Sequence, residues 1–473
     1  MKRTLILLLA ALTAGSVRAK VTMPAIFGDN MVLQQQQKVR LWGDSDRPEV
    51  TLRTSWSDTP VQVRVADGRW TAELETPAGS YEPQKVTVSD ADSELTFGNV
   101  LIGEVWICSG QSNMYMPLRG YTGQPVEGSL RTILESPRYA DRIRMITLPK
   151  READTPQRTF EGAAWEIPAP ATAQLMSAAA YYFAQTLTET LGVPVGIISN
   201  SWGGSKIEAW MDSETLRGMG YDVERINANP KIEQRAKCSL LYNGLVAPVA
   251  GYTARGFAWY QGESNRKERG IYARLMEGLV RFWRAEWGDT ENRMPFLYVQ
   301  IAPHYYKNSA ATDAVELVEA QSDALKLIPN AAMIATTDLG EEFSIHPRRK
   351  REVGERLAAE ALIKAYGLRM NCWSAVRMQR VELADGKAVV TFDNARYGLS
   401  PQYEAVPGFE LAGEDGVFHP AEGRVVTSKP IVEVTSPEVP KPVAVRYAFH
   451  NYTPTTLCNT YGLPVIPFRS DRQ

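Results

Sequence analysis

The sequence predicts an α/β protein: a parallel sheet covered by helices on both faces, set between two β regions. Residues 20–97 and 368–473 contain short runs of alternating apolar and polar residues, a pattern typical of antiparallel strands. Residues 98–367 instead alternate short apolar runs with amphipathic stretches of helical period. That alternation predicts a three-layer domain with a parallel central sheet.

Composition sets only broad limits on function. The chain has 473 residues, 44% of them hydrophobic and 22% charged, which is ordinary for a globular protein of more than one domain. The formal net charge is −2 and no basic run is present, so we expect no nucleic-acid partner.

Residues 1–19 have the pattern of a secretory signal peptide. Lys2 and Arg3 precede an apolar run over residues 5–14, and small residues at Val17 and Ala19 suit a cleavage site. The alternative is a buried N-terminal helix. No later run reaches the roughly 18 apolar residues of a membrane helix. We therefore expect a secreted or periplasmic protein with no membrane span after cleavage.

The two flanking regions are predicted to be β structure. In the first, the alternating runs 61–65 and 85–88 are separated by turn residues, which suggests a small antiparallel sandwich. The runs 388–392, 424–427 and 443–447 indicate a second β region near the C-terminus.

The middle domain carries the strands that position a site. The predicted buried strands are 104–108, 195–199, 256–260, 296–301 and 332–337. Three amphipathic helical stretches lie among them and end at Gly192, Gly288 and Gly367. Ligands of such sheets bind outside the carboxyl ends of the strands, so the loops that follow the strands are where we expect the site.

The four cysteines give no metal motif. They lie far apart, without a Cys-x-x-Cys pair or zinc-ligand spacing. An oxidising compartment would permit disulfides, and four cysteines allow three pairings, between which the sequence does not decide.

Polar, glycine-bearing loops follow three of the predicted strands. They hold Ser112, the pair Gly203 and Gly204, and Gln261. A serine esterase needs a serine on a tight strand-to-helix turn, a histidine base and donors for the oxyanion. Taken alone, Ser112 would be interpreted as the N-cap of a helix. The joint placement of these residues at strand ends favours the catalytic interpretation.

The scarcity of histidine narrows the choice of base. The chain has only His304, His346, His419 and His450, and the last two lie in the C-terminal β region. His304 stands beside two tyrosines that suit packing or binding. His346 follows the fifth predicted strand and precedes a helix, so it could reach Ser112 as the general base.

Four ordered blocks resemble the sialate O-acetylesterases, a branch of the SGNH hydrolase superfamily. They are residues 110–114 (Gly-Gln-Ser-Asn-Met), 202–210 (Trp-Gly-Gly-Ser-Lys-Ile-Glu-Ala-Trp), 259–265 (Trp-Tyr-Gln-Gly-Glu-Ser-Asn) and 345–350 (Ile-His-Pro-x-x-Lys). Further likeness at residues 31–34, 445–448 and 459–464 extends the resemblance over nearly the whole chain.

The resemblance implies a role for each of these residues. Ser112 would be the nucleophile and would donate its backbone N–H to the oxyanion. Gly203, or the adjacent Gly204, would supply a second N–H, and Gln261 would donate from its side-chain amide. His346 would be general base and then acid. These donors would do the work of a Lewis acid, so we expect no metal or other cofactor.

The chain departs from the superfamily at the third triad member. There an aspartate precedes the histidine by three residues, whereas Phe343 occupies that position here. Asp338, at the end of the fifth predicted strand, is our candidate. Glu341, Glu342 or a backbone carbonyl are the alternatives.

The resemblance implies 9-O-acetylated sialic acid as the substrate. Its carboxylate would need a cation, and Arg119 and Lys206 are candidates because each follows a motif loop. Two alternatives remain open: an esterase of acetylated plant polysaccharide such as xylan, and a non-catalytic carbohydrate-binding protein.

Overall fold

The computed structural model of the chain describes residues 20–369, 371–384 and 386–472. The signal peptide expected at residues 1–19 lies outside the described residues. Within the described ranges, no helix is both long enough and apolar enough to cross a membrane.

Six strands of the middle domain pair in parallel, as predicted. Five correspond to the predicted strands, and Ile143–Thr147 is an additional one at the edge. Their order across the sheet is Ala331–Ile334, Phe296–Val299, Gly256–Tyr260, Glu94–Gly110, Val195–Ser201 and Ile143–Thr147.

Helices cover both faces of this sheet. Successive side chains of a strand point to opposite faces, and the neighbours Ile107 and Cys108 accordingly belong to different buried clusters. The cluster that contains Ile107 includes side chains of two helices, Tyr272–Glu286 and Asp313–Leu327. The cluster on the other face includes side chains of Ala178–Leu191 and Lys350–Lys364. The three-layer arrangement is therefore present. Shorter helices are Ser112–Tyr115, Ser129–Glu135, Pro170–Ala173, Ser213–Gly218 and Val223–Ala228.

The N-terminal β region is continuous with the core through one long strand. The first part of Glu94–Gly110 pairs antiparallel with Ser80–Ser89, and its second part pairs with the core strands. The boundary expected at residue 97 therefore falls inside a strand, because backbone pairing continues across it. The other strands of this region are Val32–Gln34, Lys38–Asp44, Glu49–Thr54, Ser57–Arg64 and Arg69–Glu75.

The C-terminal β region forms a separate antiparallel sheet with its own buried cluster. All four cysteines of the chain are unbonded, so none of the three possible disulfide pairings is formed. The strands run in the order Met378–Ala384, Lys387–Phe392, Ile431–Thr435, Phe418–Val425, Val406–Ala412, Ala444–Tyr447 and Phe468–Arg469, with Leu399–Ser400 paired to Cys458–Asn459 apart from them.

The winding of the chain reverses direction at the strand Glu94–Gly110. The next two core strands lie on one side of it, and the chain then crosses to Gly256–Tyr260 on the other side. Such a reversal opens a crevice at the carboxyl end of the strand, where ligands of open α/β sheets bind. The fold therefore places a crevice where residue 112 follows the strand.

Candidate active site

Ser112 lies on a sharp turn at the carboxyl end of the central strand. The turn is made by Gly110, whose φ is 137°. A methyl group on this glycine would lie 2.2 Å from the carbonyl oxygen of Tyr260, so only glycine fits. Ser112 follows two residues later and begins the short helix Ser112–Tyr115.

Of the two adjacent glycines, Gly203 is the one that lies beside Ser112. The loop is held by the Trp202 N–H, which donates to the carbonyl of Gly110 over 3.0 Å. A methyl group on Gly203 would lie 3.1 Å from the Cβ of Ser112. The same group on Gly204 would instead lie 2.8 Å from the Nε of Arg235.

A single turn contacts both Ser112 and His346. The Tyr121 hydroxyl donates to the Ser112 carbonyl over 2.9 Å, and its ring packs edge-on against the His346 ring at 4.9 Å. Gln124 closes the turn, and its Oε1 lies 2.6 Å from the Nδ1 of His346. The turn therefore joins the candidate nucleophile to the candidate base.

The contact with Gln124 determines which nitrogen of His346 acts as a base. An amide oxygen only accepts hydrogen bonds, so Nδ1 carries the proton and Nε2 keeps its lone pair. Burial, together with the nearby charges of Lys350 and His304, lowers the pKa of His346 to about 4. The imidazole is therefore neutral, and able to accept a proton, at neutral pH.

Comparison with known proteins identifies the family. A family model described as carbohydrate esterase, sialic acid-specific acetylesterase, matches residues 102–363, more than half of the chain. The chain belongs to this family. It is a carboxylic ester hydrolase that acts on acetylated sugars, so the non-catalytic alternative is set aside.

Individual relatives of this esterase resemble it over most of their length. The mouse (Mus musculus) sialate O-acetylesterase is 27% identical, with 82% of each chain covered. The human (Homo sapiens) sialate O-acetylesterase is 27% identical, with 76% of this chain and 74% of that one covered. The crystal structure of a carbohydrate acetylesterase from Xanthomonas citri superposes with a TM-score of 0.86 at 33% identity, covering 96% of this chain and all of that chain.

Asp338 does not contact His346, contrary to our expectation for the third triad member. Both of its carboxylate oxygens accept hydrogen bonds from the Arg356 guanidinium at 2.7 Å. The alternatives Glu341 and Glu342 are bonded elsewhere, to Arg348 and to the Ser309 hydroxyl. The Nδ1 of His346 meets the Gln124 amide in place of any carboxylate.

Gln261 is also not placed as an oxyanion donor. Its amide nitrogen has two hydrogens, and these go to the carbonyl of Ser205 over 3.0 Å and to the Oδ1 of Asn265 over 2.7 Å. Its Oε1 accepts from the Tyr272 hydroxyl. The fully buried amide thus joins strand-end loops to each other and leaves no hydrogen for a substrate.

The two candidate cations for the substrate carboxylate differ in availability. Lys206 is paired with Glu268 over 2.5 Å. Arg119 is exposed, next to the turn that carries Tyr121 and Gln124, and no ion pair to it is found among the described residues. Of the two side chains, only Lys206 is thus engaged in an ion pair within the described part of the chain.

A buried polar network holds the Ser112 and His346 loops together. Asn113 donates to the Glu263 carboxylate over 2.7 Å and to the carbonyl of Ile345 over 3.0 Å. Its Oδ1 accepts from Lys350 over 2.6 Å. Burial lowers the pKa of Lys350 to about 7 and raises the pKa of Glu263. The network links three of the four family blocks.

Sequence reasoning missed Tyr121 and Gln124 because they belong to none of the blocks. Gln124 pairs with a histidine 222 residues away, and a glutamine next to a glycine reads as an ordinary turn. Asn113, Glu263 and Lys350 do stand in the blocks, and charged residues next to a catalytic serine and histidine could have drawn attention to them.

Proposed function

We propose that this esterase removes O-acetyl groups from sialic acid through an acetyl-Ser112 intermediate. The observation that carries the proposal is the turn at residues 121–124, which contacts the Ser112 carbonyl and fixes the protonated nitrogen of His346. A serine on a glycine turn that is linked through residues 121–124 to an oriented, neutral histidine fits the arrangement of a serine hydrolase.

In the first half-reaction, the Nε2 of His346 takes the hydroxyl proton of Ser112 while Oγ attacks the acetyl carbonyl carbon. The tetrahedral oxyanion accepts hydrogen bonds from the backbone N–H groups of Ser112 and Gly203. Each such donor is worth about 3 kcal/mol of transition-state stabilisation. The bond to the sugar oxygen then breaks, and that oxygen takes the proton from Nε2.

In the second half-reaction, water replaces the sugar. His346 removes a proton from the water as it attacks the acetyl carbon, and the proton then passes to the Oγ of Ser112. Acetic acid leaves, ionises to acetate and a proton in solution, and the free enzyme is restored without net charge.

Gln124 is the third member of this triad. Its carbonyl oxygen holds the Nδ1–H of His346, the task that an aspartate performs in most serine hydrolases and an amide performs in papain-like proteases. A neutral partner gives less stabilisation to the imidazolium that forms during the reaction. It also leaves the resting histidine uncharged down to lower pH.

The substrate proposal rests on the family and on Arg119. The family description names sialic acid-specific acetylesterases, and two curated relatives are named sialate O-acetylesterases. An exposed arginine next to the catalytic turn supplies a cation for the carboxylate of a sugar acid. Xylan is neutral apart from occasional acidic branches and would gain little from it.

A panel of acetylated sugars, read out as acetate release, tests the proposal. We expect release from 9-O-acetylated sialic acid and little from acetylxylan, with no release by Ser112→Ala. Arg119→Ala should lower kcat/KM for the sialic acid ester more than for a neutral ester. Acetylxylan as the preferred substrate would overturn the sialic acid assignment. Full activity of Ser112→Ala would overturn the mechanism.

We also propose that the esterase is exported after cleavage behind Ala19. The support is the basic start and the apolar run over residues 5–14. N-terminal sequencing of the mature protein should begin at Lys20. A mature protein that retains the first 19 residues would contradict export by this route.

A further inference from the structure

Two aromatic side chains stand exposed beside the candidate base. Phe343, three residues before His346, exposes 82% of its surface, and Tyr305 exposes 38%. Their ring centroids are 5.9 Å apart and the rings are tilted. Single exposed aromatic residues are common, but a contacting pair at the edge of a catalytic site is a candidate binding surface.

Hydrogen bonds hold the two loops that carry this pair. The backbone N–H of Tyr305 donates to the carbonyl of Glu342 over 2.9 Å. The Glu342 carboxylate accepts from the Ser309 hydroxyl over 2.8 Å. The rings therefore project from a supported backbone, and little conformational entropy would be lost when a ligand packs on them.

Phe343 forms one wall of a cleft of about 540 Å³. His346 and Gln124 line the same cleft, and so does the ion pair between Glu341 and Arg348. A sugar has apolar C–H faces and a rim of hydroxyl groups, so it suits an aromatic wall bordered by hydrogen-bonding groups.

The chemistry determines on which side of Ser112 the sugar lies. The histidine must give its proton to the departing sugar oxygen, so the sugar has to lie on the His346 side. His346 and Phe343 line the same cleft, so a sugar that packs on Phe343 lies near the base that must protonate its oxygen.

We propose that Phe343 and Tyr305 form a stacking platform for the pyranose ring of the acetylated sugar. This inference rests on the proposed function, because it takes the ring to belong to the sugar alcohol that leaves in the Ser112 reaction. The aromatic residue that replaces the superfamily aspartate thus serves substrate recognition. The orientation of the histidine is left to Gln124.

The test compares two acetyl esters in Phe343→Ala. One is the acetylated sugar, and the other is methyl acetate, whose leaving group has no ring to stack. We expect kcat/KM for the sugar ester to fall by about three- to tenfold more than kcat/KM for methyl acetate, mainly through KM. Phe343→Trp should restore the wild-type ratio of kcat/KM for the sugar ester to kcat/KM for methyl acetate. Tyr305→Ala should lower this ratio, as Phe343→Ala does.

Tyr403→Ala is the matched control. Tyr403 is 84% exposed and lies in the C-terminal β region, so its removal should leave kcat/KM unchanged for both esters. An equal effect of Phe343→Ala on both esters, or no effect on either, would overturn the platform. Neither result would contradict the proposed function. That function is contradicted instead if Ser112→Ala still hydrolyses methyl acetate.

Discussion

At the scale of single residues, the central feature is a histidine held by a neutral amide. Gln124 accepts the Nδ1–H of His346 over 2.6 Å, while burial and the neighbouring Lys350 lower the pKa of the ring to about 4. In a site with a carboxylate partner, the negative charge would raise the histidine pKa. The protonation state of His346 should therefore show directly in the pH dependence of the reaction.

The first prediction concerns the acid limb of activity. His346 must be neutral to accept the serine proton, so kcat/KM for an acetyl ester should hold steady through neutral pH. It should fall only as the pH drops through about 4, where the ring becomes protonated. A profile that already falls between pH 7 and 6 would contradict a depressed histidine pKa.

Gln124→Glu should move the acid limb of the kcat/KM profile to higher pH. The introduced carboxylate lies against Nδ1 and favours the charged ring, so the pKa of His346 rises. The control is Gln37→Glu, the same change at an exposed position in the N-terminal β region. We expect the acid limb of kcat/KM against pH to shift in Gln124→Glu and to stay in place in Gln37→Glu; an unshifted limb in Gln124→Glu would contradict the contact with His346.

At the scale of elements, the strand-end loops are joined through buried polar side chains. Asn113 bridges Lys350 and Glu263, so the start of the helix Lys350–Lys364 is tied to the serine turn. A lysine with no exposed surface is costly in its charged form, which lowers its pKa from 10.5 to about 7. This cost should appear in the stability of the protein.

Lys350→Met tests the buried lysine. Between about pH 7 and 10 the unfolded chain keeps the lysine proton that the folded chain has lost, so this group makes the free energy of unfolding rise with pH. Urea unfolding at several pH values should show a smaller rise in the variant. Lys326→Met, at a position 78% exposed, should keep the wild-type slope. Parallel slopes for all three proteins would refute the assignment.

The sequence was informative about elements where apolar periodicity was unbroken. It missed the strand Ile143–Thr147, which contains the buried Arg144, and it missed the helix Asp313–Leu327, where a buried Gln321 interrupts the apolar stripe. The Gln321 side chain accepts from the Ile301 N–H and donates to the Val299 carbonyl, and these partners on a distant segment are not visible in the local pattern.

The same limit applies to the site. The blocks brought Ser112 and His346 into consideration, and these residues lie in loops that the structure joins. The hydrogen-bond partners of His346, Asp338 and Gln261 depend on how the folded chain brings polar groups together. Residue type and spacing do not encode which of several polar groups a side chain will meet.

At the scale of the whole molecule, the C-terminal β region is docked on the esterase core through Asn451. This side chain is 1% exposed, and its Oδ1 accepts from the Ala314 N–H at the start of the helix Asp313–Leu327 over 2.8 Å. Its backbone carbonyl accepts from the His304 N–H. One asparagine thus caps a core helix from another region of the chain.

Asn451→Ala should therefore weaken the docking. Removal of the cap leaves a buried N–H without an acceptor, which costs about 1–3 kcal/mol. Urea unfolding should show that loss in the free energy of unfolding, whereas the exposed Asn229→Ala should change it by less than about 0.5 kcal/mol. Equal stability of the two variants would mean that the cap contributes nothing.

The central claim is that the acetyl group passes through Ser112. Rapid quenching of the enzyme during turnover of an acetyl ester, followed by digestion and mass spectrometry, tests it most directly. We expect one acetyl group on the peptide that contains Ser112, and more of this acetylated peptide in His346→Ala supplied with an activated ester. An acetyl group on another residue, or turnover by Ser112→Ala at the wild-type rate, would contradict it.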